Sequence, residues 1–138
     1  MTFALSGPLQ AAVYAALSAD AALAALVGGD VFDAVPSGTV PARYVLLGSE
    51  TVTDASDLSA SGAMHRFTVS VITSDPGFSG AKAIAGQVSD VLHDADLSLT
   101  RGSLVALRFE RATAKRTNGG ATRQIDLRFR ARVDDTAA

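Results

Sequence analysis

The longest regular alternation in the chain runs through Arg123-Gln-Ile-Asp-Leu-Arg-Phe-Arg-Ala-Arg-Val133. Ile125, Leu127, Phe129, Ala131 and Val133 share one parity, and Gln124, Asp126, Arg128, Arg130 and Arg132 share the other. Only a period of two produces this, so the stretch predicts a central strand with one face on a core and one charged face. Met64 to Thr73 repeats the pattern, with Phe67, Val69 and Val71 opposed to Arg66, Thr68 and Ser70. Leu104 to Ala112 predicts a third such strand, with Val105, Leu107 and Phe109 inward and Arg108 and Glu110 outward. Arg43 to Glu50 is almost continuously apolar and reads as a strand buried on both faces, after a brief extended piece at Asp30 to Asp33.

The helical signals lie elsewhere. Ser6-Gly-Pro8 reads as a helix start with a capping hydroxyl and an early proline, and Leu9, Val13, Ala16 and Leu17 follow at helical spacing. Ser18-Ala-Asp20 restarts a short second helix, with Ala22, Leu23, Leu26 and Val27 apolar, that Gly28-Gly29 ends. Ser79-Gly80 opens a third helix to about His93, with Ala81, Ile84, Ala85, Val88, Val91 and Leu92 as its apolar stripe. Val35 to Pro41 is turn-rich, and Asn118-Gly119 is a hairpin signal between the last two strands. Strands in runs, without regular βα alternation, predict an α+β fold: a mostly antiparallel sheet of about four strands with helices on one face. One domain over residues 1–138 is expected, with 1–5 and 134–138 frayed.

Thr51 to Ala63 shows no periodicity and is longer than a hairpin turn. It reads as a projecting loop that orders against a partner, with Thr51, Asp54, Asp57, Leu58, Ser61 and Ala63 as candidate contacts.

Composition sharpens this picture in two places. The chain has 138 residues, 48% of them hydrophobic, and no cysteine, which excludes a disulfide framework, a thiolate nucleophile and a cysteine zinc site. No apolar run approaches the roughly 18 residues of a membrane span, and no signal peptide is evident. The net charge of -2 conceals an asymmetry: residues 1–100 hold three basic groups against ten acidic, and residues 101–138 hold nine basic against four acidic. A basic segment invites a nucleic-acid reading. Here, however, the arginines alternate within strands, and Phe109 and Phe129 point away from them, so no stacking platform forms. Ion pairing across strands or subunits is the competing reading, on Arg66, Arg108, Glu110, Asp126, Arg128, Arg130 and Arg132.

Catalytic chemistry has no foothold. His65 reads as a strand-edge side chain, and no Gly-x-Ser-x-Gly elbow accompanies it. His93, beside Asp94 and Asp96, lacks metal-ligand spacing and fits a helix C-terminus. Gly28-Gly29 and Gly119-Gly120 match no phosphate-cradling pattern. No enzyme, cofactor or metal site is expected.

The order of short motifs does carry a resemblance. Leu9-Gln-Ala-Ala-Val-Tyr-Ala-Ala-Leu17, Asp20-Ala-Ala-Leu23, Gly28-Gly-Asp-Val-Phe-Asp33 and Arg43-Tyr-Val45 come first. His65-Arg-Phe-Thr-Val69, Val91-Leu-His-Asp94, Leu107-Arg-Phe-Glu110 and Leu127-Arg-Phe-Arg-Ala131 follow. Together they resemble the DUF3168 family of phage tail-completion or tail-terminator proteins over roughly residues 9–132. The alanine-rich version resembles in particular the terminators of alphaproteobacterial gene transfer agents. The resemblance implies a homo-hexameric ring on the tail tube protein that stops tube growth and receives the head-side stopper or connector. DNA would pass through its lumen without sequence-specific binding, at the head–tail junction of a virion assembled in the host cytoplasm. A head-side neck protein, or a nucleic-acid-binding module, remains the alternative at this stage.

Overall fold

The computed structural model describes residues 3–35, 37–54 and 62–135. Helix α1 spans Ser6–Ala19 and α2 spans Ala21–Val27. A two-residue strand β1, Val31–Phe32, leads to β2, Arg43–Asp54, and β3, Gly62–Thr73. Helix α3, Ser79–Leu92, precedes β4, Ser103–Thr117, and β5, Thr122–Asp134. The strands form one sheet in the order β1-β2-β3-β5-β4, with β1 parallel to β2 and every other pair antiparallel. The fold is α+β, but the sheet is mixed and five-stranded. The fifth strand is the short β1, held by Val31 opposite Val45 and Phe32 opposite Leu46.

Strand β5 is an interior strand, fourth of the five, paired on both sides with β3 and β4. Its Ile125, Leu127, Phe129, Ala131 and Val133 are buried together with Val69 and Val71 of β3. The helices supply Leu9, Val13 and Leu17 from α1, Leu23 and Val27 from α2, and Ile84, Val88 and Leu92 from α3. Each such aliphatic side chain contributes about 1.5–3 kcal/mol on burial. Asp20 fixes the α1–α2 corner. Its carboxylate accepts from the Leu23 N–H at 2.9 Å as an N-cap and from Gln87 Nε2 at 2.9 Å, tying the start of α2 to α3. Gly28, at φ 66, ends α2 in the left-handed conformation open to glycine.

Several expectations are corrected. Ser6 does not cap α1: Leu5 occupies the cap position, and the Ser6 hydroxyl donates instead to Glu50. Of the ends expected to fray, residues 1–2 and 136–138 lie outside the described residues, and Leu5, Asp134 and Asp135 are held in place. Leu5 is buried in the core, Asp134 pairs with Gly62 and Ser103, and Asp135 accepts from Arg101. The Thr51–Ala63 loop is also shorter than expected. Thr51 and Asp54 belong to β2, opposite Arg66 and Ala63, and Ala63 is buried within β3. The hairpin ladder supplies hydrogen bonds that no side-chain periodicity announced. Asp57, Leu58 and Ser61 lie outside the described residues.

Candidate assembly interface

Opposite the helices, the sheet presents its second face. Register places Arg66 of β3, Arg130 of β5 and Arg108 of β4 side by side, so three cations stand in one row across three strands. In the next row Arg128 lies opposite Arg111. Like charges directly opposite each other in a sheet are destabilising, so such rows call for carboxylates.

One carboxylate arrives through an irregularity. Along β4, Phe109 pairs with Phe129 and Arg111 with Arg128, leaving Glu110 as the extra residue of a bulge. From there Glu110 reaches Arg66 Nε at 3.5 Å through one oxygen and Arg128 Nε at 3.3 Å through the other. A second bulge, at Val105, puts that residue out of the inner register, whereas Leu107 is buried as expected. The predicted inward set is therefore correct at Leu107, exposed at Val105 and only half-covered at Phe109, whose ring packs edge-on against Phe129.

Asp126 forms the other polar centre. It accepts from Ser70 Oγ at 2.6 Å and Gln124 Nε2 at 2.8 Å, and it pairs with Lys115 Nζ at 3.2 Å. Partial burial pushes its carboxyl up, but the bonds from Gln124, Ser70 and Lys115 outweigh that and hold it below its ordinary value of 3.8. Towards the hairpin, Arg116 and Arg123 stack on the Phe78 ring, and Arg123 also donates to the Pro76 and Gly120 carbonyls. Arg108 lies 3.8 Å from Asp94. Arg111 and Arg130 are exposed and make no ion pair or side-chain hydrogen bond among the described residues. The predicted interface set, Arg66, Arg108, Glu110, Asp126, Arg128, Arg130 and Arg132, thus shares one face, apart from the bulge that carries Glu110.

The two histidines differ in outcome: His93 stands at the C-terminal cap of α3 as expected, and His65 does not stand where it was expected. His65 is not at an edge: it points into the core, fully buried, and its Nδ1 donates to Glu50 Oε2 at 3.1 Å. Its Nε2 has no hydrogen-bond partner among the described residues. Ser6, Glu50 and His65 form a chain with the carboxylate in the middle, the wrong order for a hydroxyl nucleophile, which needs the imidazole between the other two. His93 caps the end of α3 and accepts the Phe109 N–H through Nδ1 at 3.0 Å, while Asp94 N–H bonds the Leu107 carbonyl at 2.8 Å. The α3–β4 connection thereby covers part of the exposed edge of β4. No group of three or more potential metal ligands occurs among the described residues, and no single helix there is long and apolar enough to cross a membrane.

The profile of the tail completion protein gp17 family matches residues 11–134. A chain from a structure described as the virion of a native gene transfer agent particle superposes with a TM-score of 0.91. It is 56% identical, and the match covers 96% of this chain and 99% of that one. Another solved chain, 14% identical, superposes with a TM-score of 0.62 over 96% of this chain and 98% of its own length, a likeness of fold alone. No curated protein matches. Completing a tail is a structural task and not an enzymatic one. With its profile match running through nearly every element of the fold, the chain belongs to the tail completion protein gp17 family.

Proposed function

We propose that this chain is a tail terminator of a phage-like particle. Copies of it close into a hexameric ring on the last ring of the tail tube, halt tube growth and offer the opposite surface to the head-side connector. The lumen passes DNA without reading its sequence. The observation that carries the reading is the 56% identity, nearly end to end, to a chain of a gene transfer agent virion. The charged sheet face is in keeping with it. An isolated copy bears rows of like charge that a neighbour's carboxylates would neutralise, and a ring is built from such unlike surfaces meeting head to tail. Arg66, Arg108, Glu110, Asp126, Arg128, Arg130 and Arg132 are the proposed interface, and Thr51 and Asp54 at the end of β2, with Asp57, Leu58 and Ser61, are the proposed partner contacts.

Electron microscopy of particles assembled without this chain tests the proposal. Overlong tails detached from heads are the expected outcome. Tails of normal length beside unjoined heads would reassign the chain to the neck, and normal particles would overturn both roles.

A further inference from the structure

The two edges of the sheet are opposite in charge and alike in greasiness. Residues 1–42, which build α1, α2 and the β1 edge, contain three acidic side chains and no lysine or arginine. Strand β4, at the other edge, carries four basic side chains against one acidic. Six large apolar side chains are exposed among the described residues. Tyr14 at 42% lies on the β1 side; Val105 at 56% and Phe109 at 38% lie on β4; Val35 and Val40 line a cleft with Tyr44, Ile72 and Thr122, and Phe3 precedes α1. Tyr14 and Phe32 line a groove between α1 and β1 that also holds Asp33. Asp33 is exposed and, like Arg111 on β4, has no side-chain partner among the described residues.

We infer that the β4 edge of one copy docks on the α1–β1 groove of the next, Arg111 meeting Asp33 while Val105 and Phe109 cover Tyr14 and Phe32. The occupant is a second copy of this chain, because each edge supplies what the other lacks in charge and both expose apolar side chains beside those charges. The surfaces are different patches of one molecule, so the contact is heterologous and repeats around a ring. It is made by side chains and not by adding strand to strand. β4 is interrupted by bulges at Val105 and Glu110, bears arginines along its length, and has its edge partly bonded to His93 and Asp94, all of which oppose strand addition.

The inference rests on the ring proposed above, and one experiment separates the two. The chain has no cysteine, so with Asp33→Cys and Arg111→Cys together a short bismaleimide can join one copy of this chain to another only through those positions. A ladder of covalent multimers is expected from the double variant, and none beyond a dimer from either single variant. Several copies per particle without 33–111 links would overturn the edge pairing and leave the ring standing. One copy per particle would overturn both. As an independent check, Arg111→Asp or Asp33→Arg alone should weaken self-association about tenfold or more, and the two together should restore most of it. Additive losses in the double swap would overturn the pairing.

Discussion

His65 and Glu50 meet at 3.1 Å on the inner face of the sheet because β2 contains one residue more than its partner requires. Leu47 lies opposite Val69, but Glu50, not Ser49, lies opposite Phe67. The inserted residue reverses the parity of everything after it and turns a carboxylate towards the core. Once there, Glu50 is satisfied by His65 Nδ1 and the Ser6 hydroxyl, which ties the start of α1 to the sheet. Burial raises the Glu50 carboxyl, but the bonds from His65 and Ser6 and the attraction of His65 prevail, and its pKa falls below the ordinary 4.5.

Replacing Glu50 by Ala leaves a buried imidazole N–H without an acceptor, so the variant should lose about 1–3 kcal/mol of stability at neutral pH in urea unfolding. A depressed folded-state pKa means this contribution is present in full above pH 4.5 and is lost as pH falls through the lower, folded value. The gap between wild type and Glu50→Gln should therefore be constant above that pH and shrink below it. A gap that widens in acid would refute the arrangement.

Glu110 holds two arginines that would otherwise face Arg130 and Arg111 unneutralised. Glu110→Gln should cost about 0.5–1 kcal/mol, because the pairs are partly exposed. The cost should diminish in molar salt, where screening acts on the repulsion within the rows. A loss that is unchanged by salt would point to the shape of the bulge instead of its charge.

Arg130→Glu separates folding from assembly. Placing a carboxylate between Arg66 and Arg108 relieves the repulsion in that row, so the monomer should be as stable as wild type or more stable by up to about 1 kcal/mol. Incorporation into tails should nevertheless fail, since the proposed interface loses its central cation. Thermal unfolding beside a tail-binding assay reads both. A destabilised monomer contradicts the account of the row, and normal incorporation removes Arg130 from the interface.

How far the sequence could be read follows from these same residues. Strand β5 was legible throughout because nothing interrupts its period, and its arginine face followed from that. The helix restart at Ser18-Ala-Asp20 and the hairpin at Asn118-Gly119 were legible because each is a local choice of residue. The bulges at Gly48-Ser49, Val105 and Glu110 were not, since an inserted residue leaves no compositional mark and shows itself only through its partner strand. The error at Val105 descends from one of them, whereas His65 shares the parity of Phe67, Val69 and Val71 and was misplaced because the strand was expected to begin beside it, at Met64. The free edges of the sheet were equally hidden, because strand order is a tertiary fact, and the charge asymmetry along the sequence became a spatial one only once β1 and β4 stood at opposite ends.

Gly102 supplies the last prediction, and Gly119 its control. Both have positive φ, at 68° and 64°, so alanine at either meets the left-handed penalty of about 1–2 kcal/mol. Around Gly119 no atom lies within 4 Å of an added Cβ, and Gly119→Ala should cost that penalty and no more. At Gly102 the added carbon would stand 2.5 Å from Leu5 Cδ2 and 2.6 Å from the Asp134 carbonyl oxygen. Leu5 is a buried core side chain and Asp134 is paired on both sides within the sheet, so neither gives way freely. Overpacking of this kind adds about 1–3 kcal/mol, which puts Gly102→Ala at roughly 2–5 kcal/mol. Equal losses for the two variants in urea unfolding would mean that residues before α1 are not held against the end of β5, and the buried placement of Leu5 would have to be abandoned.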